Sequence, residues 1–150
     1  MSRGFVVVWC AVLVGLSGCN AHVEDTRPGQ PVKTRQVAFQ EILKVFEPMG
    51  VMLRTDTYEP DRFATLAAEL TIKREHPWAH FSADTNYPPT RAKEVVWSQA
   101  DEFEQKKLAF IAATEQLNAA AKTKNMEVAN KAYFEVYDTC KSCHSQFKER

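Results

Sequence analysis

The sequence predicts an all-α protein, an antiparallel up-down-up-down four-helix bundle, and three observations predict it. Apolar side chains recur at steps of three and four residues in four separate stretches. No stretch alternates apolar and polar residues as a half-buried strand would, and no internal repeat occurs. One long and two short connections separate the stretches, which suits neighbours packed antiparallel around a common core.

The first stretch, residues 32–53, sets Phe39, Ile42, Phe46, Met49 and Leu53 on one stripe. Pro48 lies within it and has no backbone N–H, so a kink or a shortened helix is expected near Lys44 to Glu47. The turn Thr55 to Pro60 follows, with Pro60 suited to the first position of a second helix over 60–75. That helix turns Phe63, Leu66, Ala67 and Leu70 inward, with Ile72 at the margin of the same face. His76-Pro77 ends it. Residues 76–90 form a long irregular loop whose Trp78 and Phe81 are expected to fold back over the bundle end, and His80 reads as a surface or hydrogen-bonded loop histidine. The third helix, 93–122, repeats Val96, Phe103, Phe110 and Leu117 at intervals of seven. After a turn within 118–125, the fourth helix, 127–148, places Ala129, Ala132, Val136, Cys140, Cys143 and Phe147 inward, with Tyr133 and Tyr137 nearby.

The chemistry is concentrated on that last helix, in Cys140-Lys141-Ser142-Cys143-His144. Two thiols separated by two residues and followed at once by an imidazole form the attachment signature of a c-type haem. On a helix, spacings of three and four residues send all three side chains from one face. That face can hold a flat macrocycle through two thioether bonds while the imidazole reaches its iron. A redox-active thiol pair would start a helix within a βαβ pattern, which is missing here. A structural zinc site needs a second ligand pair, and the sequence has none. A structural disulfide is compatible with an exported protein but leaves His144 without a role. Only six residues follow His144, so a second axial ligand must come from upstream.

At 150 residues the chain is one domain by length, with room for a core without staples. Its 19 basic and 19 acidic side chains balance, which argues against nucleic acid or an anionic membrane surface as a partner bound by bulk charge. Arg3 followed by the apolar run Gly4 to Leu16 reads as a secretory signal, too short to span a bilayer comfortably. Leu16-Ser17-Gly18-Cys19 resembles the lipobox of bacterial lipoproteins, which expects removal of residues 1–18 and a diacylglyceryl anchor on Cys19. Residues 19–32, including His22, read as a flexible tether, and the folded domain as 33–150. Of the four cysteines, Cys10 is lost with the leader, Cys19 is the candidate anchor, and Cys140 and Cys143 take the haem.

The residue opposite His144 decides between two functions. A Met or second His there makes the iron six-coordinate and suited to electron transfer, whereas an apolar residue leaves a site for small gases. In an up-down-up-down bundle the end of the fourth helix lies beside the start of the first, which favours Phe39. Met49 and Met52 come ten and thirteen residues later, about 15 to 20 Å further along the axis. They read as core.

Over nearly all of Thr34 to Lys148 the sequence resembles the cytochrome c′ family. Arg35-Gln36 with Ala38-Phe39, Pro77-Trp78-Ala79 with Phe81, Val96-Trp97-Ser98, Phe103, Phe110, the haem motif and Phe147-Lys148 carry the resemblance. It implies thioether bonds from Cys140 and Cys143, His144 as the proximal ligand, and Phe39 as the distal residue of a five-coordinate, high-spin iron. It further implies that Arg35 and Gln36 contact the haem propionates and that Lys148 lies over the proximal imidazole. Such a protein binds nitric oxide or carbon monoxide in the bacterial periplasm, is not an enzyme, has an unidentified redox partner, and pairs as a homodimer through its first two helices. Here the Cys19 anchor would add a membrane tether. The alternative is a six-coordinate, low-spin electron-transfer cytochrome with Met49 or Met52 as axial ligand. A peroxidase would want a distal His or Arg; the stripe near Phe39 has none, although Arg35, one turn away, could be recruited and leaves a weak peroxidatic activity open.

Overall fold

The computed structural model describes residues 23–150; the leader, Cys19 and His22 lie outside the described residues. Five α-helices follow in order: α1 Pro31–Arg54, α2 Pro60–Lys73, α3 Val95–Ser98, α4 Ala100–Lys122 and α5 Met126–Phe147. The four long ones form the expected bundle. Two short 3₁₀ turns, Trp78–His80 and Ala83–Thr85, shape the connection between α2 and α3.

The bundle buries one continuous core. Ile42, Phe46, Met49 and Met52 of α1 meet Phe63, Ala67 and Leu70 of α2, Phe110, Ala113 and Leu117 of α4, and Ala129, Tyr133 and Val136 of α5. Gly50 leaves room for the Tyr133 side chain, which stacks on Phe46 with centroids 4.3 Å apart. At one end, the Lys124 ammonium pairs with Asp61 at 2.6 Å and Thr57 N–H donates to the Met52 carbonyl. The loop 76–90, the start of α1 and the end of α5 gather at the other.

Several expectations change. α1 runs through Pro48 to Arg54 without stopping, because Val45, Phe46, Met49 and Met52 on either side of the proline are all buried. A proline inside a helix costs roughly 3 kcal/mol, and burying several large apolar side chains offsets it. The third helix is interrupted at Gln99, whose φ of −121° and ψ of 50° leave the helical region. Trp97 explains the break: its Nε1 donates to the carbonyls of Phe81 and Ser82 at 3.1 and 3.0 Å, which ties α3 to the loop rather than to the axis of α4. Ile72 is 64% exposed, since α2 buries the face carrying Phe63, Ala67 and Leu70 instead.

Within the chain expected as a tether up to residue 32, Asp25 is tied to the fold and α1 already begins at Pro31. Asp25 is buried and accepts hydrogen bonds from Lys33 N–H at 3.0 Å, Arg27 N–H at 3.3 Å and Tyr87 O–H at 2.8 Å. Lys33 lies in the first turn of α1, where backbone donors have no partner inside the helix, and the residue at the cap position, Gln30, makes no side-chain cap. Asp25 supplies that acceptor from outside the helix.

Candidate functional site

Cys140, Cys143 and His144 lie on the last two turns of α5. Asn125 starts this helix by accepting from Val128 N–H at 3.1 Å, and the helix runs unbroken to Phe147. The three side chains therefore leave from one face, as their spacing requires. The two thiols are not bridged to each other. Cys140 packs against the core, and burial, with Cys143 beside it, pushes its thiol up to about 11. Burial also raises Cys143, and the Lys106 ammonium opposes that rise. The same Lys106 donates to Ser142 Oγ at 2.7 Å, fixing α4 against the segment between the two thiols. A helix period does not reveal this contact, which Lys106 reaches over the edge of the apolar face of α4.

His144 is exposed, and partial desolvation followed by the charge of Lys148 holds its imidazole below the usual range. Lys148 closes the helix, its N–H donating to the His144 carbonyl at 3.2 Å.

An aromatic wall stands at the same end of the bundle. Phe39 meets Trp78 edge-on at 5.6 Å between centroids and Phe81 at 6.3 Å. Trp78 continues to Phe103 at 6.2 Å, and Phe103 to Phe147, three residues beyond His144, at 5.3 Å. This chain of rings joins α1 through the loop and α4 to the last turn of α5, and confirms that Trp78 and Phe81 fold over the bundle. Met49 and Met52 are 0% and 3% exposed within the main core, toward the α1–α2 turn.

Arg35 and Gln36 have partners that the sequence did not disclose. The Arg35 guanidinium is buried and donates to His80 O at 2.9 Å, to Thr85 Oγ1 at 2.8 Å, to Thr85 O at 3.2 Å and to Thr90 Oγ1, while its carbon lies 4.7 Å from the Phe81 ring centroid. Gln36 Nε2 donates to the Pro89 carbonyl at 3.0 Å. Both side chains organise the loop that carries Trp78 and Phe81. Arg74 was likewise missed as a buried charge: it reaches from the end of α2 to Thr114 Oγ1 at 2.6 Å and Ile111 O at 3.0 Å on α4, and pairs with Glu115.

Two observations test whether the site fits a haem. Among the described residues no group of three or more His, Cys, Asp and Glu side chains is placed to hold a bare metal ion, whereas a haem asks of the chain only two thiols and one imidazole. The indole Nε1 of Trp78, inside the aromatic wall, is buried without a hydrogen-bond partner, a position that an acceptor on a bound group would complete. Two free thiols, one imidazole and an apolar wall form a donor set suited to a macrocycle that brings four nitrogens to its iron.

Comparison with known proteins agrees. A family model described as Cytochrome C' matches residues 30–148. The chain is 31% identical over 126 residues to the cytochrome c' of Rubrivivax gelatinosus, covering 83% of this chain and 98% of that protein. It is 27% identical over 125 residues to that of Alcaligenes xylosoxydans xylosoxydans, covering 83% and 97%. Among solved structures, the Rubrivivax gelatinosus cytochrome c' superposes with a TM-score of 0.78 at 30% identity, over 84% of this chain and 100% of that one. The cytochrome c prime of Shewanella frigidimarina gives 0.79 at 27%, over 83% and 98%. A nitric oxide complex of a variant from Alcaligenes xylosoxidans gives 0.78 at 27%, over 85% and 100%. The protein belongs to the cytochrome c' family, and its cofactor is covalently attached haem c.

Proposed function

We propose that the protein is a five-coordinate, high-spin haem protein that binds nitric oxide or carbon monoxide in the periplasm. One observation carries this reading: the ring that α1 brings to the aromatic wall at the His144 end of the bundle is Phe39, a side chain with no donor atom for iron. Cys140 and Cys143 hold the haem by thioether bonds, and His144 is the proximal ligand. Bound this way, the haem supplies an iron with one coordination position for a diatomic ligand. Phe39 and Phe81 line that position with apolar rings, and α1 brings no hydrogen-bond donor to it, which favours nitric oxide and carbon monoxide over dioxygen. The Alcaligenes xylosoxidans structure in complex with nitric oxide supports the same ligand class. Arg35 and Gln36 shape the propionate end of the site by fixing the loop around it, and Lys148 tunes the proximal imidazole.

The rival reading, a Met ligand and electron transfer, is disfavoured by the burial of Met49 and Met52 in the core. The role is binding and not catalysis, since the wall offers no distal acid or base. Residues 1–18 act as a lipoprotein signal, Cys19 as a membrane anchor, and a homodimer through α1 and α2 and a redox partner complete the proposal. Absorption spectra of the purified protein, oxidised, reduced, and reduced with carbon monoxide, test it. A high-spin ferrous spectrum that changes with carbon monoxide is expected; a low-spin ferrous spectrum at neutral pH overturns it.

A further inference from the structure

The last turn of a helix leaves carbonyls without partners inside the helix. In α5 that turn follows His144 directly, and much of its satisfaction comes from a segment more than fifty residues earlier. Lys93 Nζ donates to the Ser145 carbonyl at 3.3 Å, and Lys93 N–H donates to the Phe147 carbonyl at 2.9 Å. Glu149 N–H donates back to Arg91 O at 2.8 Å, so Ala92 and Lys148 pair as an antiparallel bridge. An ammonium at a helix C-terminus also complements the negative end of the helix. The upstream side of the segment is anchored too. Ala92 N–H donates to Thr90 Oγ1 at 3.0 Å, the hydroxyl that also accepts from Arg35, and Gln36 holds the Pro89 carbonyl. Residues 89–93 therefore strap the first turns of α1 to the turn that carries His144.

We infer that Lys93 is a positioning residue for the His144 imidazole, holding the last turn of α5 from outside the helix through its ammonium and its backbone N–H. The inference rests on the reading of His144 as the axial ligand. A helix end lacking such partners frays, and a frayed turn lets the imidazole leave the orientation that its bond to iron prefers. A residue needed only for folding would change the melting temperature and leave that bond alone.

The experiment is resonance Raman spectroscopy of the ferrous holoprotein, reading the iron–imidazole stretching band in the unaltered protein and in the Lys93→Met, Lys93→Arg and Lys93→Pro variants. Lys93→Met keeps the aliphatic stem and loses the ammonium, so its band is expected to broaden and move to lower frequency. Lys93→Arg can still donate to the Ser145 carbonyl and is expected to restore the original band. Lys93→Pro loses the backbone donor and is expected to shift it further. If Lys93→Pro does not accumulate as holoprotein, the contrast between Met and Arg decides alone. Unmoved bands in all variants overturn the inference while leaving His144 as the ligand. A missing iron–imidazole band in the unaltered protein overturns the axial-ligand reading and the inference with it.

Discussion

Arg35 grips Thr85 twice across fifty residues of sequence, from Nη1 to Oγ1 at 2.8 Å and from Nη2 to the carbonyl at 3.2 Å, both hydrogen bonds buried. With Thr90 and His80 also accepting from it, one guanidinium near the start of α1 holds the loop that supplies Trp78 and Phe81. The same guanidinium lies over the Phe81 ring, so the site depends on a side chain that both holds the loop and packs against one of the rings the loop carries.

Replacing Arg35 by Met preserves the stem and leaves Thr85 and His80 without their charged donor. Hydrogen bonds to a charged group contribute about 1.5 to 3 kcal/mol each and are not additive, so a loss of about 3 kcal/mol is expected in urea unfolding. Arg35→Lys should recover only part, since a single ammonium cannot reproduce the planar fork. Equal stability of all three proteins would show that the loop is held by other means.

Phe39→Ala removes the ring facing Trp78 and Phe81. The side chain is half-buried, so a stability loss of about 2 kcal/mol is expected, below the 3 to 5 of a fully buried Phe. Carbon monoxide association, measured by flash photolysis, should become faster than in the unaltered protein. An unchanged rate would mean that Phe39 does not guard the ligand position.

Gly50→Ala places a methyl group 2.7 Å from Tyr133 Cζ and 2.8 Å from Arg54 Nη1, with the Tyr133 hydroxyl closer still. Ala is favoured over Gly inside a helix by about 1 kcal/mol, but overpacking costs about 1 to 3. Tyr133 is stacked on Phe46 and cannot move without breaking that contact. Net destabilisation is expected, with a lower thermal midpoint. A midpoint that rises would show that Tyr133 has room.

Asp25 gives a pH dependence of defined sign. Its burial alone would raise the carboxyl, but hydrogen bonds from Lys33 N–H, Tyr87 O–H and Arg27 N–H outweigh burial and hold it below its ordinary 3.8. A lowered carboxyl contributes stability that is present above the ordinary value and lost as pH falls through the folded one. Stability should therefore drop below about pH 4. Asp25→Asn keeps an acceptor and cannot titrate, so its stability should fall less steeply over the same acid range. Parallel acid curves for the two proteins would remove Asp25 from the account.

The haem motif and the helices were legible because both are local. The spacing of Cys140, Cys143 and His144 works on any helix, and the stripes of α1, α2 and α5 follow from apolar side chains recurring every three or four residues. Antiparallel connectivity then places Phe39 at the His144 end without knowledge of any contact.

What the sequence by itself determined was the helical periodicity, the placing of Cys140, Cys143 and His144 on one helix face and the phenylalanine at position 39 on the stripe of the first helix. Tertiary structure alone decided that Asp25 caps α1, that Arg35 anchors residues 80–90, that Gln99 interrupts the third helix and that Lys93 secures the end of α5. The reason is physical: helix period depends on residues within a turn of one another, whereas the partner of a buried donor depends on which distant loop closure brings an acceptor within 3 Å.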